Sequence, residues 1–145
     1  MQDGVVEGPS AKEGAEIAAE LEGMGLDAIE INGGIGGVTS LNISTGIRGP
    51  ADEAVFRPWA RAALSASSLP IALVGGLRTR HLTEDVLKAD DADFISLCRP
   101  LICEPDLPTR LRNGVQQRAA CISASRCWPS TCGEGIACGC PVDRV

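Results

Sequence analysis

The feature that most constrains the fold is a pair of short apolar runs separated by a segment of helical length. "PIALVGG" begins at Pro70, "ADFISLCR" begins at Ala92, and "RHLTEDVLKADD" lies between them. Neither run alternates apolar and polar residues, so both are interpreted as strands that are buried on both faces. A helix between two such strands joins them as parallel neighbours through a right-handed crossover. The sequence therefore predicts an α/β fold.

The chain before these runs contains a helix and a strand of the same kind. Small and apolar residues at helical spacing predict a helix over Ser10–Met24, with Ser10 as its N-cap and Gly25 as its stop. "LDAIEI" (Leu26–Ile31) predicts a short strand that ends at the turn-forming sequence Asn32–Gly34. A long loop rich in Gly, Ser and Thr follows, and loops of this length inside a domain are often functional or disordered.

Two more helices complete the order of elements. "DEAVFRPWARAALSAS", which begins at Asp52, predicts a helix that is either distorted at Pro58 or starts again there. "EPDLPTRLRNG", which begins at Glu104, predicts a short helix that Asn113–Gly114 terminates. The order is then α, β, α, β, α, β, α, which predicts three parallel strands with helical connections.

Length and charge limit the organisation of the chain and its partners. Its 145 residues are enough for one domain of ordinary size. The net charge is −6 and the 13 basic residues are scattered, which argues against a nucleic-acid or anionic-lipid partner. No apolar stretch approaches the roughly 20 residues of a membrane-spanning helix. The start "MQDGVVEGPS" lacks the pattern of a secretion signal. These features predict a cytoplasmic protein.

The ends of the second and third strands are the predicted ligand site. In α/β folds ligands bind beyond the carboxyl ends of parallel strands, and in (β/α)8 barrels the last two strands often form a phosphate site there. Gly75 and Gly76 allow backbone N–H groups to approach phosphate oxygens, and Arg99 adds a two-pronged, charge-assisted contact. The alternative is that the glycines only turn the chain and that Arg78 and Arg99 are solvated surface residues.

One long stretch carries a resemblance to a known family. "LPIALVGGLRTRHLTEDVLKADDADFISLCRPLICEPDLPTRLRNG" resembles the C-terminal part of the NADH:flavin oxidoreductase family, the old yellow enzyme group with its larger dienoyl-CoA-reductase-like members. "AAELEGMGLDAIEINGG" is similar to the sixth strand of that family and the helix before it. The resemblance covers about residues 11–114, and the combination of "VGGLRT" with "ADFISLCRPLICEPDLP" is specific to the family.

This resemblance implies a TIM-barrel enzyme that binds FMN, takes hydride from NAD(P)H and passes it to an electron-poor acceptor such as an enone. Gly75 and Gly76 match the glycines whose backbone binds the FMN phosphate after the seventh strand. Arg99 matches the arginine that contacts the same phosphate after the eighth strand. Cys98 stands where the family usually has glycine, so that "GRP" becomes "CRP" and a side chain is added beside the phosphate. The cofactor-binding residues implied are therefore Gly75, Gly76, Cys98 and Arg99.

The chain matches only part of such a barrel. A (β/α)8 barrel takes about 250 residues, and residues 1–114 correspond to its C-terminal half, with about the last three β/α units. The family's strands that hold the flavin ring, the polar substrate-binding pair and the proton-donating Tyr have no counterpart, and the sequence contains no Tyr and one His. That residue, His81, is predicted to be a surface or capping residue, because its nearest carboxylates lie one turn further along the same helix. No catalytic residue is predicted.

Residues 115–145 form a cysteine-rich extension, which holds five of the seven cysteines. Larger relatives have a "CIxCNxxC"-like segment that can ligate a [4Fe–4S] cluster. Cys121 matches the first ligand, but Ala124 and Ser125 replace the second cysteine and the Asn, and Cys127 comes one position early. The tail is therefore either an iron–sulfur site completed by later cysteines or a disordered, thiol-bearing extension, and no metal-binding residue is assigned. The later cysteines are Cys132, Cys138 and Cys140.

Two functions from different classes fit these observations. One is an FMN-dependent oxidoreductase in which this chain supplies the phosphate-binding half and is inactive alone. The other is a non-catalytic half-barrel that binds a phosphate ligand or self-associates through an open strand edge. Another phosphate-binding barrel, aldolase-like or IMP-dehydrogenase-like, fits the "VGG" turn but not "DADFISLCRPLICEPDL".

Overall fold

A computed structural model describes residues 8–33, 47–124 and 127 of the chain. In these ranges helices and short strands alternate, as the sequence predicts. The elements are helix α1 (Ala11–Gly23), strand β1 (Ile29–Ile31), a 3-10 turn (Pro50–Asp52), helix α2 (Arg57–Ala66), strand β2 (Ile71–Leu73), helix α3 (Arg80–Lys88), strand β3 (Phe94–Ile95), helix α4 (Arg99–Cys103) and helix α5 (Leu107–Arg112).

The three strands form one parallel sheet in the order β1-β2-β3. Ile29 and Ile31 of β1 pair with Ile71 and Leu73 of β2, and Leu73 pairs in turn with Ile95 of β3. The predicted α/β class with a parallel sheet is confirmed. Closure into a barrel is not a feature of the residues that the structure describes.

The hydrophobic core surrounds the central strand. Ile71 and Leu73 are fully buried, and Val86 of α3 is also fully buried. Helix α1 packs against α2, and α2 packs against β2. Small side chains at these contacts, Ala60 and Ala63 among them, are almost completely buried and allow the helices to approach closely. The core is therefore aliphatic and depends little on aromatic residues.

The N-terminus of α1 forms as the sequence predicts. The Ser10 hydroxyl accepts a hydrogen bond from the Glu13 backbone N–H at 3.2 Å, and the Glu13 carboxylate accepts one from the Ser10 N–H at 2.8 Å. This reciprocal pair is a capping box, which satisfies two N–H groups that the first turn of a helix leaves without a partner. Ser10 is confirmed as the N-cap.

Helix α2 begins later than the sequence predicts. It starts at Arg57 rather than near Asp52, with Pro58 in its first turn. Proline has no N–H to donate and its φ angle suits a helix start, so it is tolerated in this position. Of the two alternatives for Pro58, a helix start is the correct one.

Strand β3 differs from the prediction in length and in burial. The predicted strand over residues 92–99 contracts to Phe94–Ile95, and the prediction that it is buried on both faces is wrong, because Phe94 is 58% exposed. In the described chain β3 pairs with β2 on one side only and is an edge strand. Arg99 accordingly does not end a strand but begins helix α4, with Pro100 in the first turn.

The segment after α5 lies against the body of the fold. Leu107 and Leu111 of α5 form a small apolar cluster with Ala119. The Ala119 N–H donates to the Arg78 carbonyl at 2.9 Å, and Thr79 and Arg118 form an antiparallel bridge. No helix within the described ranges is long and apolar enough to cross a membrane.

Candidate functional site

The four predicted cofactor-binding residues follow two neighbouring strands. Gly75 and Gly76 lie just beyond the end of β2, and Cys98 and Arg99 lie just beyond the end of β3. Because β2 and β3 are paired in parallel, their carboxyl ends meet at the same edge of the sheet. The topology therefore places the two turns side by side. We call these four residues the strand-end site.

Both glycines are required by the backbone and by the packing around them. Gly75 has φ +120° and Gly76 has φ +73°, conformations that residues with a side chain rarely adopt. A Cβ atom at Gly75 would lie 2.7 Å from Cδ2 of Phe56, and one at Gly76 would lie 3.0 Å from Cδ1 of Ile47. The glycines therefore turn the chain and leave room for side chains of the segment before α2.

The amide groups of the same turn are the candidate donors to a ligand. Within the described ranges, neither the Gly75 N–H nor the Gly76 N–H donates a hydrogen bond to another residue. The Gly75 carbonyl is occupied, because it accepts a hydrogen bond from the Val55 N–H at 3.2 Å. Successive backbone amides in a turn are a known way of binding an anion. The donor chemistry of the turn thus fits a phosphate group.

Cys98 and Arg99 start helix α4 at the other turn. Cys98 is exposed and occupies the N-cap position, where its carbonyl accepts a hydrogen bond from the Leu101 N–H at 2.9 Å. Arg99 is half-buried. The pKa of Arg78 is lowered mainly by burial and by the charge of Arg118, and the charge of Arg99 contributes less. The guanidinium groups of Arg78 and Arg99 are therefore close enough to interact. Arg99 thus brings a guanidinium group to the strand-end site.

Arg78 is not the solvated residue that one alternative reading expects. It is 3% exposed, and its two terminal nitrogens donate to the carbonyls of Cys121 and Ile47, both at 2.6 Å. Burial, with the charge of Arg118 as a second cause, holds the pKa of Arg78 below its usual value. The surface interpretation of Arg78 is wrong. Arg78 ties the turn after β2 to the segments at Ile47 and Cys121.

A buried carboxylate that the sequence analysis missed faces this arginine. Glu53 accepts hydrogen bonds from the backbone N–H groups of Arg78 and Thr79 at 2.9 Å each, and from the Thr79 hydroxyl at 2.7 Å. Its Oε1 also lies 3.9 Å from the Nε of Arg78 and 3.8 Å from the Nε of Arg118. A buried arginine requires a carboxylate or several carbonyls nearby. The positions of the acidic residues in the sequence do not indicate which of them will be its partner.

Two acidic or amide residues near β1 have definite partners. Glu30 accepts a hydrogen bond from the Ser96 hydroxyl, so it orients a neighbour at the end of β3 rather than being only solvated. The Asn32 side chain accepts a hydrogen bond from the Gly33 N–H at 2.7 Å, which is the geometry of a local turn. Gly34 lies outside the described residues.

His81 lies on the surface, as predicted. It is exposed in the first turn of α3. The carboxylates one turn further along have other partners, because Glu84 binds Arg80 at 2.8 Å and Asp85 binds Arg57 at 3.0 Å. His81 is therefore not part of a catalytic pair with either carboxylate.

The described cysteines do not form a metal centre. Cys121 and Cys127 are buried, Cys103 is half-buried and Cys98 is exposed, and no two of these four cysteines form a disulfide with each other. Among the residues that the structure describes, no three His, Cys, Asp or Glu side chains are placed to hold one metal ion. The remaining residues named for the iron–sulfur alternative lie outside the described residues: Ser125, Cys132, Cys138 and Cys140.

Comparison with characterised proteins gives partial matches. The chain is 38% identical over 90 residues to the NADH-dependent flavin oxidoreductase iccE of Talaromyces variabilis, which covers 58% of this chain and 22% of that protein. The chain is similar to a flavin oxidoreductase. It is also 28% identical over 120 residues to an NADH oxidase of Thermoanaerobacter brockii, with 81% and 18% coverage. A 4,4'-dithiodibutanoate disulfide reductase of Rhodococcus erythropolis is 27% identical over 81 residues, with 56% and 20% coverage.

These similarities support a relationship to the flavin oxidoreductases through part of their length. The chain spans about a fifth of the length of the curated relatives it matches. No family model matches the chain.

Proposed function

We propose that this chain is the phosphate-binding part of an FMN-dependent oxidoreductase. Residues 1–114 are then the C-terminal half of a TIM-barrel flavin domain, and residues 115–145 are its cysteine-rich extension. The whole enzyme transfers hydride from NAD(P)H to an electron-poor acceptor such as an enone, and this chain alone is inactive. Bound FMN supplies the hydride-transfer chemistry.

The observation that carries this proposal is the position of the two turns of the strand-end site at one edge of a parallel sheet. Gly75 and Gly76 offer amide groups that have no partner in the described ranges, and Arg99 brings a guanidinium group to the adjacent turn. An arginine gives a phosphate a charge-assisted, often bidentate contact. The names of the partial relatives, an NADH-dependent flavin oxidoreductase and an NADH oxidase, support FMN and NADH as the ligands.

Each residue of the strand-end site has a distinct role in this proposal. The Gly75 and Gly76 N–H groups donate to phosphate oxygens, and Arg99 neutralises the phosphate charge. Cys98 is exposed where the family has glycine, so its side chain narrows the space beside the phosphate. The chain's own residues thus bind and orient the phosphate.

A comparison of FMN with riboflavin tests this proposal, because riboflavin lacks the phosphate. Flavin fluorescence is followed as the purified chain is titrated with each ligand. We expect FMN to bind at least about tenfold more tightly than riboflavin, and Arg99→Ala to remove most of that difference. Arg112→Ala, at an exposed position in α5, is the matched control and should bind FMN as the wild type does. Equal affinity for FMN and riboflavin in the wild type would contradict the proposal.

A second candidate is a non-catalytic half-barrel that binds a phosphate ligand and self-associates. The exposed Phe94 on the edge strand β3 favours it, because an apolar, unpaired strand edge is a surface for pairing with another chain. This candidate predicts a dimer in sedimentation that Phe94→Lys converts to a monomer. A monomeric wild-type chain would rule it out.

A further inference from the structure

A cavity lies next to Arg78, where three segments of the chain meet. Its volume is about 360 Å³, and it is bordered by Ile47–Arg48, by Arg78, by residues 118–120 and by Ile122. A space of this size accommodates a small ligand or one functional group of a larger ligand. None of the four residues of the strand-end site is among the described residues that line it. Its most distinctive feature is the lining by three arginines: Arg48, Arg78 and Arg118.

Arg78 lines this cavity and has one buried donor that is unsatisfied. Its terminal nitrogens are occupied by the Cys121 and Ile47 carbonyls, but its buried Nε has no hydrogen-bond partner among the described residues. The nearest carboxylate oxygen, from Glu53, is 3.9 Å away, which is too far for a hydrogen bond. Leaving a buried charged donor unsatisfied is costly. A negative charge next to Arg78 would offset part of that cost.

The other two arginines retain donors for a ligand. Arg118 uses one terminal nitrogen to donate to the Arg48 carbonyl at 2.8 Å, and its side chain is 41% exposed. The hydrogen bonds of the exposed Arg48 within the described ranges are made by its backbone: its carbonyl accepts from Arg118, and its N–H donates to Asp52 at 3.0 Å. Within the described ranges, the Arg48 guanidinium has no hydrogen bond of its own and can turn toward the cavity.

The charge balance at the cavity favours an anion. Three arginines face it, against the carboxylates of Glu53 and Asp52. Glu53 is occupied by the backbone of Arg78 and Thr79, and Asp52 by the N–H groups of Arg48 and Gly49. One positive charge is therefore left over. Arginines on several sides of one space suit a tetrahedral, multiply charged group better than a planar carboxylate.

We propose that the cavity between Arg48, Arg78 and Arg118 binds a phosphate group, either inorganic phosphate or a phosphate monoester. Arg48 and Arg118 supply the hydrogen bonds, and the buried guanidinium group of Arg78 adds positive charge behind them. The site is distinct from the strand-end site. It does not depend on the chain being part of a flavoenzyme.

Calorimetric titration with inorganic phosphate at constant ionic strength tests the site. We expect saturable binding by the wild type and about tenfold weaker binding by Arg48→Gln, which loses one charge-assisted contact. Arg48 is exposed, so its replacement should leave the thermal unfolding temperature unchanged. Arg112→Gln is the matched control, because it removes the same charge from an exposed position in α5, and it should bind as the wild type does.

Two further arms assign the source of the phosphate and separate the two sites. The first arm compares the affinity of adenosine monophosphate with that of inorganic phosphate, and adenosine, which lacks the phosphate, is the control. Tighter binding of adenosine monophosphate supports a phosphate monoester as the ligand, and equal affinity supports free phosphate. Arg99→Ala should keep the inorganic phosphate binding that Arg48→Gln weakens, even if it no longer binds FMN. The proposal is overturned if phosphate gives no more heat than chloride at equal ionic strength, if Arg48→Gln binds as tightly as the wild type, or if Arg99→Ala abolishes phosphate binding.

Discussion

At the scale of single residues, Glu53 and Arg78 show how burial gives a charged side chain its role. Both are almost completely buried, and they join the segment before α2 to the turn after β2. Arg78 was visible in the sequence as part of "GLRT", but its burial depends on three segments that are far apart along the chain. No local pattern identifies such a residue, because its partners are brought to it by tertiary packing.

Replacing Glu53 by glutamine should destabilise the fold. The carboxylate now accepts hydrogen bonds from the Arg78 and Thr79 N–H groups, and in the variant an amide nitrogen, which is itself a donor, would face them. The nearby guanidinium groups would also lose their counterion. We expect the free energy of unfolding to fall by about 2–4 kcal/mol in a urea titration. Glu20→Gln, on the exposed face of α1, should change it by less than about 0.5 kcal/mol. Similar losses of unfolding free energy in the two variants would show that the Glu53 carboxylate does not hold Arg78 and Thr79 in place.

Replacing Gly75 by alanine should also destabilise the fold, through backbone strain and a steric clash. The φ angle of +120° disfavours any side chain, and the added Cβ would lie 2.7 Å from Phe56 and 2.9 Å from Val55. We expect a loss of about 2–4 kcal/mol, measured by chemical unfolding. Gly23→Ala is the control, since no atom lies within 4 Å of its Cβ position and alanine is the better helix former. A Gly75→Ala variant as stable as Gly23→Ala would mean that the turn does not require glycine.

At the scale of secondary-structure elements, a cluster of charges fixes helix α2 against the connection between α3 and β3. Arg57 and Arg61 of α2 both donate to the buried Asp91, each with a contact of 2.7 Å. Arg57 also reaches Asp85 of α3 at 3.0 Å. The paired guanidinium groups offset the cost of burying the Asp91 carboxylate. The cluster therefore sets where α2 lies along the sheet.

This cluster should make stability depend on pH in the acidic range. The hydrogen bond from Arg61, with a further contribution from Arg57, holds the pKa of Asp91 below its usual value of 3.8. A lowered folded-state pKa gives a stabilisation that is present above pH 3.8 and is lost as the pH falls through the folded-state value. At pH 7, Asp91→Asn should cost about 2 kcal/mol in urea unfolding, and the difference from wild type should shrink below pH 3.8.

The control for this prediction is Asp27→Asn, at an exposed position before β1. It should leave both the stability at pH 7 and its acid dependence close to those of the wild type. A difference between wild type and Asp91→Asn that stays constant from pH 7 to pH 3 would contradict the assigned role of the carboxylate.

At the scale of the whole molecule, the order of elements and the parallel sheet could be predicted because they depend on local periodicity and connection length. The Ser10 cap likewise depends on residues within one turn. The start of α4 at Arg99 and the exposure of Phe94 could not be predicted in this way. An apolar run has the same sequence signature in a central strand and in an edge strand, so its burial is decided by which neighbours the sheet provides.

The same distinction applies to the strand-end site. Gly75 and Gly76 were recognisable from the sequence because positive φ angles and close packing both require glycine. The cavity bordered by Arg48 and Arg118 was not recognisable, because those residues are 70 positions apart in the chain and meet only through the contact of Arg118 with the Arg48 carbonyl. Binding of a phosphate at the strand-end site remains the central prediction.

Phosphorus NMR of FMN tests that claim most directly, because it observes the phosphate itself. Addition of the wild-type chain should shift and broaden the FMN phosphorus resonance. The Arg99→Ala variant should give a smaller shift and less broadening than the wild type, while the Arg112→Ala control should behave as the wild type does. A resonance that stays at its free position and width at saturating concentrations of wild-type chain would contradict a phosphate site at Gly75, Gly76 and Arg99.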